Sequence, residues 1–279
     1  ERFDTHFDLA VSYIEGGSAY YVHDHVSAAK KAAFVHVDYV QAGYTRRLDK
    51  DCYVDFDRIF AVSDETAGVL AGVYPECQQK LSVFHNLIDT EAIRQKALLP
   101  AEKSMHEGIR LLTVGRLTPQ KGFDCAVYAL KLLLEKQYPV YWYIIGEGPE
   151  YGRLTQLARS LHVEDHFIFL GMQTNPYPYF KMADFYIHAT RFEGKSIAIQ
   201  EAQVLGCAIA ASDCSGNREQ IVSGVDGLLC PFSPEGIANA VEYLIEHPQT
   251  AQSFGRAAAQ KACHFENDIH MIRDLLYSP

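Results

Sequence analysis

Three stretches of the 279-residue chain set residues with useful chemistry between a strand-like run and a helical one. The first is Gly115-Arg116-Leu117-Thr118-Pro119-Gln120-Lys121-Gly122, which follows an apolar run ending at Val114 and leads into an amphipathic stretch over Asp124 to Gln137. A glycine-bearing turn from a strand's carboxyl end to a helix's amino end exposes backbone N–H groups and the positive end of the helix dipole, and anions bind there. Arg116 adds a planar fork and Lys121 a point charge, a pairing suited to a diphosphate. The same residues also fit an ordinary loop whose basic side chains face water. The second stretch is Gly146-Glu147-Gly148-Pro149. Its G-x-G is a fragment of the dinucleotide fingerprint, but the third glycine and the acidic ribose ligand are missing, so a nicotinamide enzyme is poorly supported.

The third stretch runs from Arg191 to Gly206, with Glu193 in a turn and Glu201 inside a helical pattern. Carboxylates at this spacing are common on solvated helices. Glu201, however, is set among Ile197, Ala198, Ile199, Ala202, Val204 and Leu205, and a carboxylate in such company ordinarily has a specific hydrogen-bonding partner. His36, in Phe34-Val35-His36-Val37-Asp38, sits at the end of a strand-like run, where a core or capping role is one reading. Asp55-Phe56-Asp57 has the D-x-D pattern of metal-holding carboxylates, yet it precedes a strand instead of following one. The twelve histidines include no H-E-x-x-H, so no metal site is expected.

The elements that must position these residues alternate between short apolar runs and longer helical patterns, as in βα units with a parallel sheet. Strands are expected at Asp8 to Ile14, Ala33 to Val37, Arg58 to Ser63 and Leu81 to His85, then at Arg110 to Leu117, Val140 to Gly146, Phe167 to Leu170, Phe185 to Ala189, Cys207 to Ala211 and Leu228 to Cys230. The polar stretch from Thr90 to Gly108, with Pro100, breaks this rhythm and reads as a short helix plus linker. The expected division is therefore 1–105 for a first α/β domain with linker, 106–262 for a second, and 263–279 for a carboxy-terminal helical segment that could return to the first.

Composition fits this plan. The length suits two α/β domains, and 48% hydrophobic with 22% charged residues argues for substantial cores. Seven cysteines (Cys52, Cys77, Cys125, Cys207, Cys214, Cys230 and Cys263) contain no C-x-x-C pair and point to unpaired thiols in a reducing cytosol. A net charge of −10 makes nucleic acid an unsuitable partner. The basic pairs Lys30-Lys31 and Arg46-Arg47 read as solvated surface, with an anionic-membrane or acidic-acceptor contact as the alternative. No apolar run approaches the roughly 18 residues needed to cross a bilayer, and no signal-like start is present. The first residue is Glu and the chain enters a strand almost at once, so upstream sequence is expected to be missing.

Gly115-Arg116 with Lys121-Gly122, then Gly146-Glu147-Gly148-Pro149, Phe169-Leu170-Gly171, and Glu193 with Glu201 as an E-x7-E motif, resemble in order and spacing the large family 4 of retaining glycosyltransferases. The matching motifs cover Arg110 to Gly227, and Val62-Ser63 with Asn86-Leu87-Ile88-Asp89 resemble the end of the family's first domain. The resemblance implies an α/β protein of GT-B architecture, with two Rossmann-like domains whose parallel sheets face a cleft. The donor site would lie mainly in the second domain, and the first would be incomplete because the family's glycine-rich first loop is absent here. It implies transfer of a hexose-type sugar from a nucleoside diphosphate, UDP by expectation, to a carbohydrate or lipid-linked acceptor hydroxyl in polysaccharide or glycolipid synthesis. No cofactor and no metal would take part. The location would be cytoplasmic, with peripheral membrane contact as an option.

By the same resemblance Arg116 and Lys121 hold the diphosphate, Glu201 takes the ribose hydroxyls, Glu193 lies beside the transferred sugar and His36 is the active-site histidine. Gly115, Gly146, Gly171, Gly194, Lys195, Ser196 and Ile197 complete the implied donor set, although Lys195-Ser196 departs from the Phe-Gly often found there. The rival readings are a nucleotide-sugar 2-epimerase or a phosphorylase of the same fold, or a nucleotide-sugar-binding module without turnover.

Overall fold

Every apolar run expected to be a strand overlaps one, most of them rich in β-branched or aromatic residues that suit a buried parallel sheet. The computed structural model describes residues 5–262 and 268–277. Cys263, and with it the start of the segment expected over 263–279, lies outside the described residues, as does the amino-terminal Glu1. The six described cysteines are free thiols.

The chain divides into two compact units. The first comprises Glu1–Leu87, Glu193–Lys195 and Glu266–Pro279, and the second Ile88–Phe192 and Ser196–Phe265. In the first, strands β1 (His6–Ser12), β2 (Ser27–Val35), β3 (Arg58–Ala61) and β4 (Leu81–Val83) pair in parallel in the order β1-β2-β3-β4. Side-chain alternation sends Ala33, Val35 and Ile59 into a core with Tyr39, Tyr53, Phe56, Leu70 and Tyr74. Ala32, Phe34 and Phe60 face the other way, where Phe84 and Leu275 of the carboxy-terminal helix Ile269–Tyr277 cover them.

Helices α1 (Gly17–His25), α2 (Arg46–Asp49) and α3 (Asp64–Val73) complete the unit, the last capped by the Ser63 hydroxyl. The strand β2 begins ahead of the apolar run at Ala33. Its polar start is tolerated because Lys31 Nζ donates to the His23 carbonyl (2.8 Å) and Lys30 Nζ to the Leu275 carbonyl (2.9 Å), so these two lysines serve helix carboxyl ends instead of standing in water.

The second unit begins with α4 (Thr90–Lys96), capped by Asp89. This helix was expected in the linker, but Ile93 packs with Val204 and Ala262, so the division falls at Leu87 and not at 105. There follow β5 (Ile109–Val114), α5 (Phe123–Glu135), β6 (Val140–Ile145), α6 (Tyr151–Ser160), β7 (Phe167–Gly171), α7 (Tyr177–Met182), β8 (Phe185–His188), α8 (Ile197–Val204), β9 (Ala208–Ser212), α9 (Ser215–Arg218), β10 (Leu228–Cys230), α10 (Pro234–Glu246) and α11 (Pro248–Ala262).

The sheet is parallel throughout, in the order β10-β9-β8-β5-β6-β7, with a buried cluster on each face. Trp142, fully buried on β6, finds a partner for its indole N–H in Thr113 Oγ1 at 2.9 Å, and Thr113 in turn donates to the Ile187 carbonyl at 2.6 Å. Among the described residues no helix is long and apolar enough to cross a membrane.

Candidate active site

Strand order in the six-stranded sheet reverses between β5 and β8, and such a reversal opens a crevice outside the strands' carboxyl ends. Both loops singled out by sequence leave the sheet there. After β5, the Arg116 side chain is exposed and makes no ion pair among the described residues, while Lys121 lays its stem within 3.7 Å of where a Gly115 side chain would begin. Backbone and side-chain bonds clamp this loop to the one after β8. Arg191 N–H donates to the Gln120 carbonyl (2.8 Å), Gln120 Nε2 to the Phe192 carbonyl (3.0 Å) and Thr190 Oγ1 to the Gln120 carbonyl (3.1 Å).

The helix end that can meet an anion differs from the expected one. Asp124 occupies the first turn of α5 and pairs with Arg191 at 2.8 Å. Burial pushes its carboxyl up, but the Arg191 guanidinium outweighs that and holds it below the ordinary range. The α5 terminus therefore already has its anion. In α8 the Ser196 side chain makes no capping bond and the first turn holds no acidic residue, so the helix itself supplies no acceptor for the N–H groups from Ile197 onward.

Gly146 and Gly148 work by close approach. A Cβ on Gly146 (φ 139°) would lie 2.0 Å from the Gly115 carbonyl oxygen, and one on Gly148 2.4 Å from that of Leu117. Without side chains the two loops zip together, with Leu117 N–H donating to the Glu147 carbonyl (2.9 Å) and Glu150 N–H to that of Leu117 (3.1 Å). Gly146 N–H is bonded to the Gly171 carbonyl (3.0 Å), so it is not available to a phosphate. Both glycines line a cavity of about 480 Å³ with Glu147, Gly148, Tyr151, Phe169 and Leu170.

Glu201, on α8, accepts a 3.0 Å hydrogen bond from the Tyr177 hydroxyl at its Oε1. Burial raises its pKa above the ordinary carboxylate value, against the pull of that hydroxyl.

In the first unit, His36 directly follows β2. Its backbone N–H donates to Glu15 Oε2 at 2.9 Å and its ring lies against Phe34 and Tyr13, with centroids 5.9 and 5.1 Å away. Glu193, 8% exposed, belongs to the segment Glu193–Lys195 that clusters with this unit. A Cβ on Gly194 would sit 2.1 Å from the His36 carbonyl oxygen, and Asn86 Nδ2 donates to the Lys195 carbonyl at 3.1 Å. Asp55 and Asp57 serve the fold: Asp55 accepts from His23 Nε2 at 2.8 Å and Asp57 from the Lys31 backbone N–H at 2.7 Å. Among the described residues no group of three or more His, Cys, Asp and Glu side chains is arranged to hold a metal ion.

Sequence reasoning missed Tyr177, Glu15 and the Asp124–Arg191 pair. Each is joined to its partner only by the fold, and Asp124 alone carried a signal, as an acid in a helix's first turn.

A doubly wound parallel sheet with a cationic loop at its point of reversal, and a separate four-stranded parallel sheet, define a two-unit Rossmann-like protein of GT-B type. Residues 94–261 match the family described as Glycosyl transferases group 1, and the chain belongs to that family. It is 30% identical over 200 residues to an N-acetylgalactosamine-N,N'-diacetylbacillosaminyl-diphospho-undecaprenol 4-alpha-N-acetylgalactosaminyltransferase of Campylobacter jejuni, a match covering 71% of this chain and 53% of the relative. The fold resembles a sucrose-phosphate synthase of Thermosynechococcus elongatus (TM-score 0.80, 17% identity, 97% of this chain and 74% of that one). It also resembles HepE of Anabaena in complex with UDP (TM-score 0.74, 19% identity, 90% and 72%). The chain spans about half the length of the curated relatives it matches.

Proposed function

We propose that the protein transfers a hexose-type sugar from a nucleoside diphosphate, UDP by preference, to an acceptor hydroxyl, with retention at the anomeric carbon and without a metal ion. The observation that carries this reading is that the loop bearing Arg116 and Lys121 leaves a doubly wound sheet at its reversal point, hydrogen-bonded to the loop after β8, and that the first turn of α8 holds no acid. The departing diphosphate gains negative charge as the glycosidic bond breaks, and these groups stabilise it where it develops. Its leaving oxygen takes the acceptor proton on the same face of the sugar.

Glu201, held by Tyr177, receives the ribose hydroxyls. The cavity beside Gly146 and Gly171 accommodates more of the nucleoside. In the second unit Ser196 and Ile197 offer backbone N–H groups to the phosphates, and in the first unit Glu193, Lys195 and His36 are the residues assigned to the sugar. The Campylobacter relative is named for a diphospho-undecaprenol acceptor, which supports a carbohydrate linked to lipid as the acceptor.

Calorimetry with UDP, beside an assay of donor turnover, tests the reading. Arg116→Ala and Lys121→Ala are each expected to weaken UDP by about 1.5–3 kcal/mol while leaving the melting temperature near that of the parent. Unchanged affinity in both variants would remove the diphosphate assignment.

A further inference from the structure

Buried polar atoms are almost always hydrogen-bonded, and His36 Nδ1 is an exception: it is buried with no hydrogen-bond partner. The nearest carboxylate oxygen, Glu15 Oε2, stands 3.8 Å away, just beyond bonding distance, and already accepts the His36 backbone N–H. The Glu15 side chain is only 9% exposed and the His36 side chain 24%, so the ring's access to solvent comes from the edge that carries Nε2. Tyr13 and Phe34 hold the ring from the sides, and Gly194 is packed on the backbone of the same residue.

We propose that Glu15 is a positioning residue of the transfer site: it fixes His36 by its backbone and selects the Nδ1–H tautomer, leaving the Nε2 lone pair outward to accept a hydrogen bond from a sugar hydroxyl. A carboxylate can only accept, so a neutral imidazole whose Nδ1 faces it is favoured with the proton on that nitrogen. This rests on the reading of His36 as a transfer-site residue, but its first test does not.

Long-range 1H–15N correlation spectra at alkaline pH, with His36 assigned by His36→Gln, report the tautomer directly. The wild-type protein is expected to carry the proton on Nδ1, and Glu15→Gln, whose amide can donate, to move population to Nε2–H. A wild-type ring protonated on Nε2, or a tautomer that Glu15→Gln leaves unchanged, overturns the proposal without recourse to activity. In turnover, Glu15→Gln is expected to lower kcat roughly tenfold with little change in donor KM. A shifted tautomer with unaltered kcat would uphold the control of His36 by Glu15 and count against His36 as a transfer-site residue.

Discussion

Glu201 is the residue whose surroundings say most about its task. Its carboxyl is raised by burial, so the folded chain holds the protonated form more tightly than the unfolded chain does. The stability this contributes is present below the unfolded carboxylate value and lost as pH rises through the raised one, so at neutral pH the ionised group is a burden on the unliganded protein. Glu201→Gln is therefore expected to melt at the same or a higher temperature than the parent while binding UDP more weakly, with inorganic pyrophosphate little affected. Equal losses for both ligands would assign Glu201 to the fold instead of the ribose. The sequence made this residue legible through its apolar company, which demanded a partner. It could not say that the partner is Tyr177, because residues so far apart in the chain meet only through the packing of α7 against the sheet. The placing of Arg116, Lys121 and Gly146 in the turns after β5 and β6 was legible from turn chemistry. The Asp124–Arg191 pair that occupies the α5 terminus was not, since it joins two loops that only the strand order brings together.

At the scale of elements, the hydrophobic pattern located the strands best in the six-stranded sheet, which has a buried cluster on each face, because an apolar run is then the whole signal. Boundaries moved where polar residues found carbonyl partners at helix ends, as at Lys30 and Lys31. What the pattern could not carry is the polar centre of the first unit. Asp49, 2% exposed at the end of α2, accepts hydrogen bonds from the hydroxyls of Tyr20, Tyr39 and Tyr74, while Arg46 lies 4.7 Å over the Tyr74 ring. Asp49→Ala would remove the shared acceptor of three phenols, of which Tyr39 and Tyr74 keep only their mutual 3.3 Å bond, and is expected to destabilise the unit by roughly 3 kcal/mol, read from the denaturation midpoint. Burial, and then the Asp49 carboxylate, push the Tyr20 and Tyr39 phenols well above their ordinary values, and Tyr74 rises through burial as well. Their contribution is complete below about pH 10 and is lost above it as the unfolded chain ionises. Urea midpoints should accordingly fall steeply on the alkaline side in the parent and less steeply in Asp49→Ala; parallel curves would detach the carboxylate from the effect.

The whole molecule is acidic, with a formal charge of −10, yet its proposed donor is itself a polyanion. A nucleoside diphosphate must then meet local positive charge strong enough to override the general field. Two sources could supply it, a divalent cation held by carboxylates or the protein's own cations. The carboxylates with the sequence pattern for the first, Asp55 and Asp57, are committed to His23 and to the Lys31 backbone. For the second, Arg116 is exposed and without an ion pair among the described residues, Lys121 lies over Gly115, and the amino end of α8 carries no acid of its own. An enzyme that provides its leaving-group charge in this way gains little from Mg²⁺ or Mn²⁺, whereas one that borrows it from a metal loses turnover on chelation. Donor turnover measured with and without EDTA separates the two. Turnover is expected to persist in chelator and to fall in Arg116→Ala whether or not Mn²⁺ is added. Activity that disappears with EDTA and returns with Mn²⁺ would move the electrostatic source from the cationic loop to a bound ion.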